Sequence, residues 1–283
     1  MAAFYNQASL SYSGGTVYSN IASGEILEVI AVTKTAVQDE YDPGGDVTYV
    51  INLVNSGASA LTGLTLTDDL GAYTFGTMTL APLAYVIGSV NYFVNGALQP
   101  APQVTAGETL VISGISVPAG GNAAVVYTAH VTEYASPEQG GSITNTVTVS
   151  GGGIAGATAS ATVNASVSPS LGMLKSVSPA VVADNGVLSY TFTVQNFGAA
   201  EAGAADSIVL NDTFDPVLTG LTVTYNGEAW TEGEDYTYDA GTGLFSTVAG
   251  VITVPAAAYV QDETTGAWNV TPGEAVITVS GTV

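Results

Sequence analysis

The chain contains no cysteine and no arginine, and only two of its 283 residues are basic, Lys34 and Lys175. The absence of cysteine excludes disulfides, thiol catalysis and cysteine-ligated metals. The single histidine, His130, lies on a predicted strand and cannot by itself supply a transition-metal site or a serine–histidine triad. We therefore expect no cofactor, no bound metal and no enzymatic activity on an external substrate.

Positive charge is so scarce that the formal net charge is −22 at pH 7. A chain with this charge repels the phosphates of nucleic acids and the surfaces of anionic membranes. No apolar run approaches the length of a membrane span, so membrane insertion is not expected. The N-terminal segment MAAFYNQASLSYSGG shows no secretory signal and the C-terminal VSGTV no sorting motif, which indicates either a removed signal or another route of release.

Long helical periodicity is also missing from the sequence. Valine, threonine, tyrosine and isoleucine form alternating runs such as VTYVINLV and AVVYTAHV, and NG, GG and PG pairs recur at short intervals. This pattern is typical of β-sandwich domains. Because the length suffices for two domains with separate cores, we expect an all-β chain of two tandem immunoglobulin-like β-sandwich domains.

The two lysines occupy equivalent positions in two copies of one repeat. Lys34 lies 15 residues before the tyrosine and 21 before the last asparagine of GGDVTYVINLVNSG. Lys175 lies 15 residues before the tyrosine of DNGVLSYTFTVQNFG and 21 before the asparagine that follows it. Further along, LTLTDDL matches IVLNDTF, which aligns Asp68 with Asp212. Each repeat therefore keeps one lysine and one matched aspartate, which indicates a chemical use for them.

The repeats predict five segments, because the second repeat is shorter than the first. The first repeat closes with the strand ITNTVTVSGG, whereas the second ends at TPGEAVITVSGTV without such a strand. The predicted segments are an N-terminal donor strand at 1–15, a linker at 16–29, a sandwich at 30–153, a linker at 154–170 and a second sandwich at 171–283 that lacks its final strand.

The N-terminal segment YNQASLSYSGG aligns with the missing strand, with Asn6 over Asn145 and Leu10 over Val149. The alternative is a separate N-terminal strand. A sandwich without its last strand has an open edge that invites pairing, and the donor could fill it in its own molecule or in the next one. Because a whole domain separates donor from groove, we expect the partner to be another copy, in a head-to-tail homopolymer that grows into a filament.

Lysine, aspartic acid and asparagine on neighbouring strands are the set required for a spontaneous isopeptide bond. A lysine buried in an apolar core loses its proton more readily and becomes nucleophilic. A buried aspartic acid can hold a proton and donate it to the amide carbonyl. Attack on that carbonyl expels ammonia, and proximity supplies the effective molarity, so no enzyme is required. The alternative is a buried ion pair with the asparagine capping a turn.

Two cross-links of this kind are predicted, each with an aspartate as the catalytic proton donor. The sets are Lys34, Asp68 and Asn145 within one molecule, and Lys175, Asp212 and Asn6 of the neighbouring subunit between molecules. Asp69 adjoins Asp68, and strand alternation allows only one of the two to face inward. Asp46 is the weaker candidate because its aligned position is occupied by Val187.

The run formed by Lys34, YVINLVNSG, LTLTDDL and NTVTV resembles the conserved surface-repeat family called domain of unknown function 11. The resemblance covers residues 30–153 and 171–283. It implies immunoglobulin-like or prealbumin-like modules of extracellular stalks and adhesins on bacteria and archaea, with Lys–Asn cross-links in related pilin modules. The chain departs from that pattern by its displaced last strand and its missing signal and wall anchor, which favours free self-assembly.

We therefore expect an extracellular fibre subunit of a cell or spore surface appendage. A surface adhesin or S-layer-type stalk that binds carbohydrate or a host ligand is the alternative, and Trp230 and Trp268 could form its sugar-stacking patch, or simply pack. A hydrolase is a third, weaker reading, because no pair of acids has a supporting cluster. The acidic segment DEYDPGGD could bind calcium, although a solvated turn is the commoner outcome.

Overall fold

The computed structural model describes residues 2–26 and 28–283 of the chain. These residues form β-strands and loops, with one 3-10 turn at Ala204–Asp206, so the predicted all-β class is confirmed. None of the described residues belongs to a helix long and apolar enough to cross a membrane. The chain divides into two compact units: unit 1 is Met1–Ala135 with Ser142–Asn164, and unit 2 is Ser136–Gly141 with Ala165–Val283.

The first strands of unit 1 form an exposed antiparallel ribbon, which we call the N-terminal hairpin. Its strands are β1 (Ala2–Asn6), β2 (Ser9–Tyr12), β3 (Gly15–Tyr18) and β4 (Ala22–Ile26). β1 pairs with β4 and β2 with β3. The sequence predicted a linker at 16–29, but this segment supplies β3 and β4, because the backbone groups of an N-terminal strand need hydrogen-bond partners.

The rest of unit 1 is a sandwich of fourteen strands. They are β5 (Ile30–Ala36), β6 (Glu40–Tyr41), β7 (Asp46–Asn55), β8 (Leu61–Asp68), β9 (Tyr73–Phe75), β10 (Met78–Leu80), β11 (Leu83–Tyr85), β12 (Asn91–Val94), β13 (Ala97–Leu98), β14 (Gln103–Ala106), β15 (Leu110–Val117), β16 (Asn122–Val131), β17 (Ser142–Ser150) and β18 (Ala157–Ala165). One sheet has the order β13-β12-β16-β7-β5, with β11 also on β16. The other has the order β14-β15-β8-β17-β18-β6.

Alternation along the strands places the core of unit 1 between these sheets. On β7, Val47, Tyr49, Ile51 and Leu53 are completely buried, while the residues between them are not. β16 shows the same alternation, with Tyr127 at its centre. Apolar residues two apart on a strand share one face, which is the reason for this pattern.

β18 lies in the segment 154–170 that the sequence predicted as a linker. Its sequence ATASATVNA consists largely of small residues with weak strand preference, which is why the strand was missed. Ala161, Val163 and Ala165 are nevertheless buried, and β18 pairs along its length with β17. The last strand of the first repeat is therefore followed by a further strand of the same sandwich.

Unit 2 repeats part of this sandwich with ten strands. They are β19 (Leu171–Ser178), β20 (Val187–Asn196), β21 (Asn211–Thr213), β22 (Thr219–Tyr225), β23 (Glu228–Ala229), β24 (Tyr236–Asp239), β25 (Leu244–Thr247), β26 (Ala258–Gln261), β27 (Trp268–Thr271) and β28 (Gly273–Thr282). The sheet β19-β20-β28-β22-β23 matches β5-β7-β16-β12-β13, and β21-β25-β24 matches β8-β15-β14. β26 and β27 form a separate hairpin.

Matched turns confirm that the two units share one chain path. The β12–β13 and β22–β23 hairpins both turn at Asn–Gly, with Asn95 and Asn226 in the left-handed conformation at φ 48° and 50°, as a type I′ turn requires. Two fully buried asparagines, Asn55 and Asn196, end β7 and β20. Each accepts a hydrogen bond from the glycine amide two residues later and donates to nearby carbonyls.

The difference between the units lies beside β21. In unit 1, β8 pairs with β15 on one side and with β17 on the other, and β18 lies outside β17. In unit 2, β21 pairs with β25, and no strand among residues 2–26 and 28–283 pairs with its other edge. Unit 2 thus lacks counterparts of two strands, β17 and β18, where the sequence predicted the loss of one.

Candidate functional site

The candidate site of unit 1 joins residues from the two facing sheets. Lys34 lies on β5, Asp68 ends β8, and Asn145 lies on β17. The Lys34 Nζ donates a hydrogen bond to Asp68 Oδ2 at 2.6 Å. The two side chains are 0% and 1% exposed, so this ion pair is sealed inside the sandwich.

Tyr127 links the aspartate to the asparagine. Its hydroxyl donates to Asp68 Oδ2 at 2.7 Å and accepts a hydrogen bond from Asn145 Nδ2 at 2.9 Å. Asn145 is fully buried, yet its Oδ1 has no hydrogen-bond partner. Buried polar atoms are almost always paired, and the hydroxyl of Tyr49 is likewise buried without a hydrogen-bond partner.

Burial makes the Lys34 amine easier to deprotonate. Desolvation lowers the pKa of Lys34 to about 8, although its attraction to Asp68 opposes that shift. The Nζ lies 4.8 Å from the ring centroid of Tyr49 and 5.9 Å from that of Tyr127, so aromatic faces replace water around it. Burial also raises the pKa of Tyr127 well above its ordinary value, which keeps its hydroxyl protonated as a donor.

The structure separates Asp68 from the two other aspartates considered. Asp69 Oδ1 accepts hydrogen bonds from the backbone amides of Gly71 and Thr146, so it holds a turn outside the site. Asp46 lies at the surface, where its Oδ1 is 2.9 Å from His130 Nδ1. The sequence did not single out Tyr127. Its position directly opposite Tyr49 on the neighbouring strand is the feature that could have identified it.

Unit 2 holds the equivalent lysine and aspartate in an open setting. Lys175 Nζ donates to Asp212 Oδ2 at 2.5 Å, and it lies 4.8 Å from the ring centroid of Tyr190. The side chains of Lys175 and Asp212 are 40% and 18% exposed. The pair therefore has the geometry of the first site but lacks the cover of β17 and β18.

Two members of the first site have no counterpart beside Lys175. The residue opposite Tyr190 on the next strand is Val279, where unit 1 has Tyr127 opposite Tyr49. The predicted asparagine, Asn6, lies on β1 in the exposed N-terminal hairpin. Within the single chain the structure thus brings together Lys175 and Asp212, but not Asn6.

An apolar row beside Lys175 is exposed as well. The row lies on the same face of β19 as Lys175. It consists of Leu171, Met173 and Val177, whose side chains are 45%, 55% and 44% exposed. The equivalent residues on β5 are half-buried, because β5 packs against β17. We call this row, with Lys175 and the free edge of β21, the open face of unit 2. Its exposure follows from the two missing strands.

The different exposures predict different reactivity of the two lysines. In monomeric Leu10→Glu chains, an amine-acylating reagent should modify Lys175 rapidly and leave Lys34 unmodified, because only Lys175 reaches solvent. Peptide mass spectrometry after brief labelling measures both sites in one sample. Equal labelling of the two lysines would contradict the buried placement of Lys34.

The lowered pKa of Lys34 predicts how the rate of the first bond depends on pH. The reactive pair, a neutral Lys34 amine with a proton on Asp68, carries the same number of protons as the ion pair. The rate should therefore stay level from pH 6 to about 8, the pKa of Lys34, and fall about tenfold per pH unit above it, where the shared proton is lost. Intact mass, followed after chains recovered unfolded and without the bond are diluted into buffers of pH 6 to 10, measures the loss of ammonia. A rate that rises tenfold per unit between pH 6 and 8 would contradict this.

The remaining candidate residues lie in ordinary packing positions. The ring of Trp230 stacks on Tyr225, with centroids 5.0 Å apart, and Trp268 is half-buried on β27. Trp230 is half-buried as well. Within residues 2–26 and 28–283 no group of three or more His, Asp or Glu side chains is arranged to hold a metal ion, including the acidic segment at 39–46.

No protein-family model and no curated protein sequence matches the chain, so the resemblance to the surface-repeat family is not confirmed. Similar solved structures include major pilin subunits. BcpA of Bacillus cereus is 12% identical with a TM-score of 0.35, covering 96% of this chain and 73% of that one. SpaD of Corynebacterium diphtheriae is 14% identical with a TM-score of 0.36, covering 86% and 59%. A red sea bream transglutaminase is 14% identical with a TM-score of 0.30, covering 87% and 31%. At this level of similarity no function follows.

Proposed function

We propose that the chain is the structural subunit of an extracellular fibre that polymerises head to tail and is cross-linked by Lys–Asn isopeptide bonds. One observation carries the proposal. The same lysine–aspartate pair occurs in a closed site that contains an asparagine and in an open site that lacks one. The open site is completed by the N-terminal segment of another copy, whose Asn6 aligns with Asn145.

The bond within unit 1 joins Lys34 to Asn145. The neutral Nζ attacks the Asn145 side-chain carbonyl carbon, while a proton held by the Asp68 carboxyl polarises the carbonyl oxygen. The amide nitrogen takes up one of the Nζ protons, passed through the Asp68 carboxyl. Its C–N bond then breaks, it leaves as ammonia, and a new amide remains. No oxidant or cofactor is required. The hydrogen bond from Asn145 Nδ2 to Tyr127 fixes the orientation of the amide, as near-attack geometry demands.

The path of the chain through unit 1 favours a second copy as the acceptor. Val29 and Ile30, where the chain enters the sandwich, line a pocket with Gly153 and Ile154, before the start of β18. The chain leaves unit 1 after Asn164, at the far end of β18. The nine residues of β18 span about 30 Å, whereas residues 27–29 reach about 10 Å. The chain therefore enters the sandwich of unit 1 at one end and leaves it at the other, so the hairpin is attached at the end opposite to the exit toward unit 2.

The cross-links also suit a protein outside the cell. A chain without cysteine cannot use disulfides, and each isopeptide bond would restrict the unfolded chain in a similar way. When both lysines are consumed, trypsin finds no site to cleave. We place the fibre on a cell or spore surface, where its acidic coat keeps it soluble.

Electron microscopy of the purified protein at neutral pH tests the fibre directly. We expect filaments one subunit wide, and shortened or absent filaments for Leu10→Glu, which places a charge on the face of the donor strand equivalent to buried Val149. Ser11→Glu is the matched control, because its counterpart Ser150 is exposed. Monodisperse monomers of the wild-type chain at all concentrations would contradict the proposal.

A further inference from the structure

We infer that the donor is the whole N-terminal hairpin, residues 2–26, and that it enters the open face of a second copy as a pair of strands. This inference rests on the proposed function and extends it, since a single strand at 1–15 is the simpler alternative. Unit 2 lacks counterparts of both β17 and β18, and a single strand would replace only the first. The hairpin supplies two strands that are already paired.

The register of the hairpin matches that of the strands it would replace. β17 and β18 pair Asn145 with Ala161, and β1 and β4 pair Asn6 with Ala22. The asparagine and the alanine are separated by the same number of residues in both hairpins. This pairing register is kept throughout β1 and β4. Between β2 and β3 the register is shifted by one residue, because Ser9 pairs with Tyr18 and not with Ser19.

The size of the facing side chains also corresponds. Ile143 lies opposite Val163 in unit 1, and Phe4 lies opposite Gly24 in the hairpin. The Phe4 ring covers Gly24 so closely that a Cβ there would lie 2.5 Å from it. At the pair next to the asparagine pair, phenylalanine and glycine in the hairpin thus take the place of isoleucine and valine in unit 1.

The surfaces of the two parts are complementary. The hairpin exposes Phe4 and Leu10, with Val17 opposite Leu10, and each is at least half exposed. The open face exposes Leu171 and Met173. The single chain therefore exposes two apolar surfaces to solvent, one on the hairpin and one on unit 2. Burial of both in one contact between copies removes this area from water, and it repeats along a head-to-tail polymer.

Insertion in the register of unit 1 defines the new contacts. Because Val147 lies opposite Asp68 and Val149 opposite Leu66, Ala8 would lie opposite Asp212 of the partner, and Leu10 opposite the partner's Leu210. Asn6 then occupies the place of Asn145 above the partner's Lys175. β4 lies outside β1 and covers the site from solvent, as β18 does in unit 1.

Ala22→Glu and Ser23→Glu test the inference as a matched pair in the full chain. Ala22 is exposed in the hairpin, but its counterpart Ala161 is buried, whereas Ser23 and its counterpart Thr162 are both exposed. We expect Ala22→Glu to abolish the polymer and Ser23→Glu to polymerise like the wild type. In both variants the loss of one ammonia from the bond in unit 1 reports that unit 1 has folded.

Hydrogen exchange of wild-type polymer gives a second measurement, with Leu10→Glu monomer as the reference. The amides of residues 15–26 should exchange far more slowly in the polymer than in that monomer, because β4 gains a buried setting. If Ala22→Glu polymerises normally, or if residues 15–26 stay unprotected in the polymer, a single strand is the donor and the inference is wrong. If the wild-type chain forms no polymer, the proposed function itself fails.

Discussion

Wild-type protein boiled in detergent and reductant should migrate as a ladder of multimers, and the Asn6→Ala variant should migrate as monomer alone. The reason is that Asn6 supplies the carbonyl carbon that joins each subunit to Lys175 of the next. A covalent link survives denaturation, whereas strand pairing does not. Lys175→Ala and Asp212→Ala should remove the ladder as well, the first by deleting the nucleophile and the second by deleting the proton donor.

Asn20→Ala is the matched control for this experiment. Asn20 lies in the same hairpin and is exposed, but it aligns with no site residue, so the ladder should persist. Intact mass should show that each bond formed makes the product lighter by one ammonia. A ladder that persists in Asn6→Ala would assign the link to another residue. A wild-type chain that runs as a single band of full mass would exclude both bonds.

Replacing Asn145 with alanine should strongly destabilise unit 1. The bond from Lys34 to Asn145 closes a loop of more than a hundred residues, and by analogy with a disulfide of that span its loss costs about 5 kcal/mol of unfolding free energy. For a domain of this size that lowers the melting temperature by about 10–20 °C. Calorimetry in a Leu10→Glu background, in which the donor does not insert into a second subunit, measures the change in the transition of unit 1.

Asn164→Ala provides the comparison within the same sheet. Asn164 lies on β18 with an exposed side chain, so its replacement should change the unfolding free energy by less than about 0.5 kcal/mol. The Asn145→Ala protein should also lose no ammonia from unit 1. Equal melting temperatures for the two variants would mean that no bond joins Lys34 to Asn145, and the ion pair with Asp68 would be the whole site.

The sequence indicated three residues that the structure places in one buried cluster, Lys34, Asp68 and Asn145, but not Tyr127, which connects them. Alternation along LTLTDDL placed one of two aspartates inward, and the repeat alignment selected Asp68 over Asp69. Tyr127 was missed because the alignment between repeats, which identified the lysines, shows Val279 in its place. A residue present in one repeat only gives no signal in a comparison of repeats.

The boundaries were harder to predict than the site. Ala157–Ala165 was predicted as part of a linker although it alternates apolar and polar residues, because nearly all of its apolar residues are alanines, which give a weak strand signal. Pairing with the neighbouring strand β17 makes these small inward residues a buried row. Residues 16–29 were likewise predicted as a linker. Their strand character depends on pairing with β1 and β2, a contact that no local pattern within the segment reveals.

Mixed isotope labelling tests the central claim, that the bond to Lys175 crosses from one subunit to the next. Unlabelled and nitrogen-15-labelled chains are mixed in denaturant, allowed to assemble, and digested to peptides for mass spectrometry. The account predicts a branched peptide that joins the segment around Asn6 to the segment around Lys175, lighter by one ammonia, and half of these branches should carry one heavy and one light arm. Branches that are always wholly heavy or wholly light would show a bond within one molecule, and an unmodified Lys175 peptide from the assembled fibre would show no bond at all.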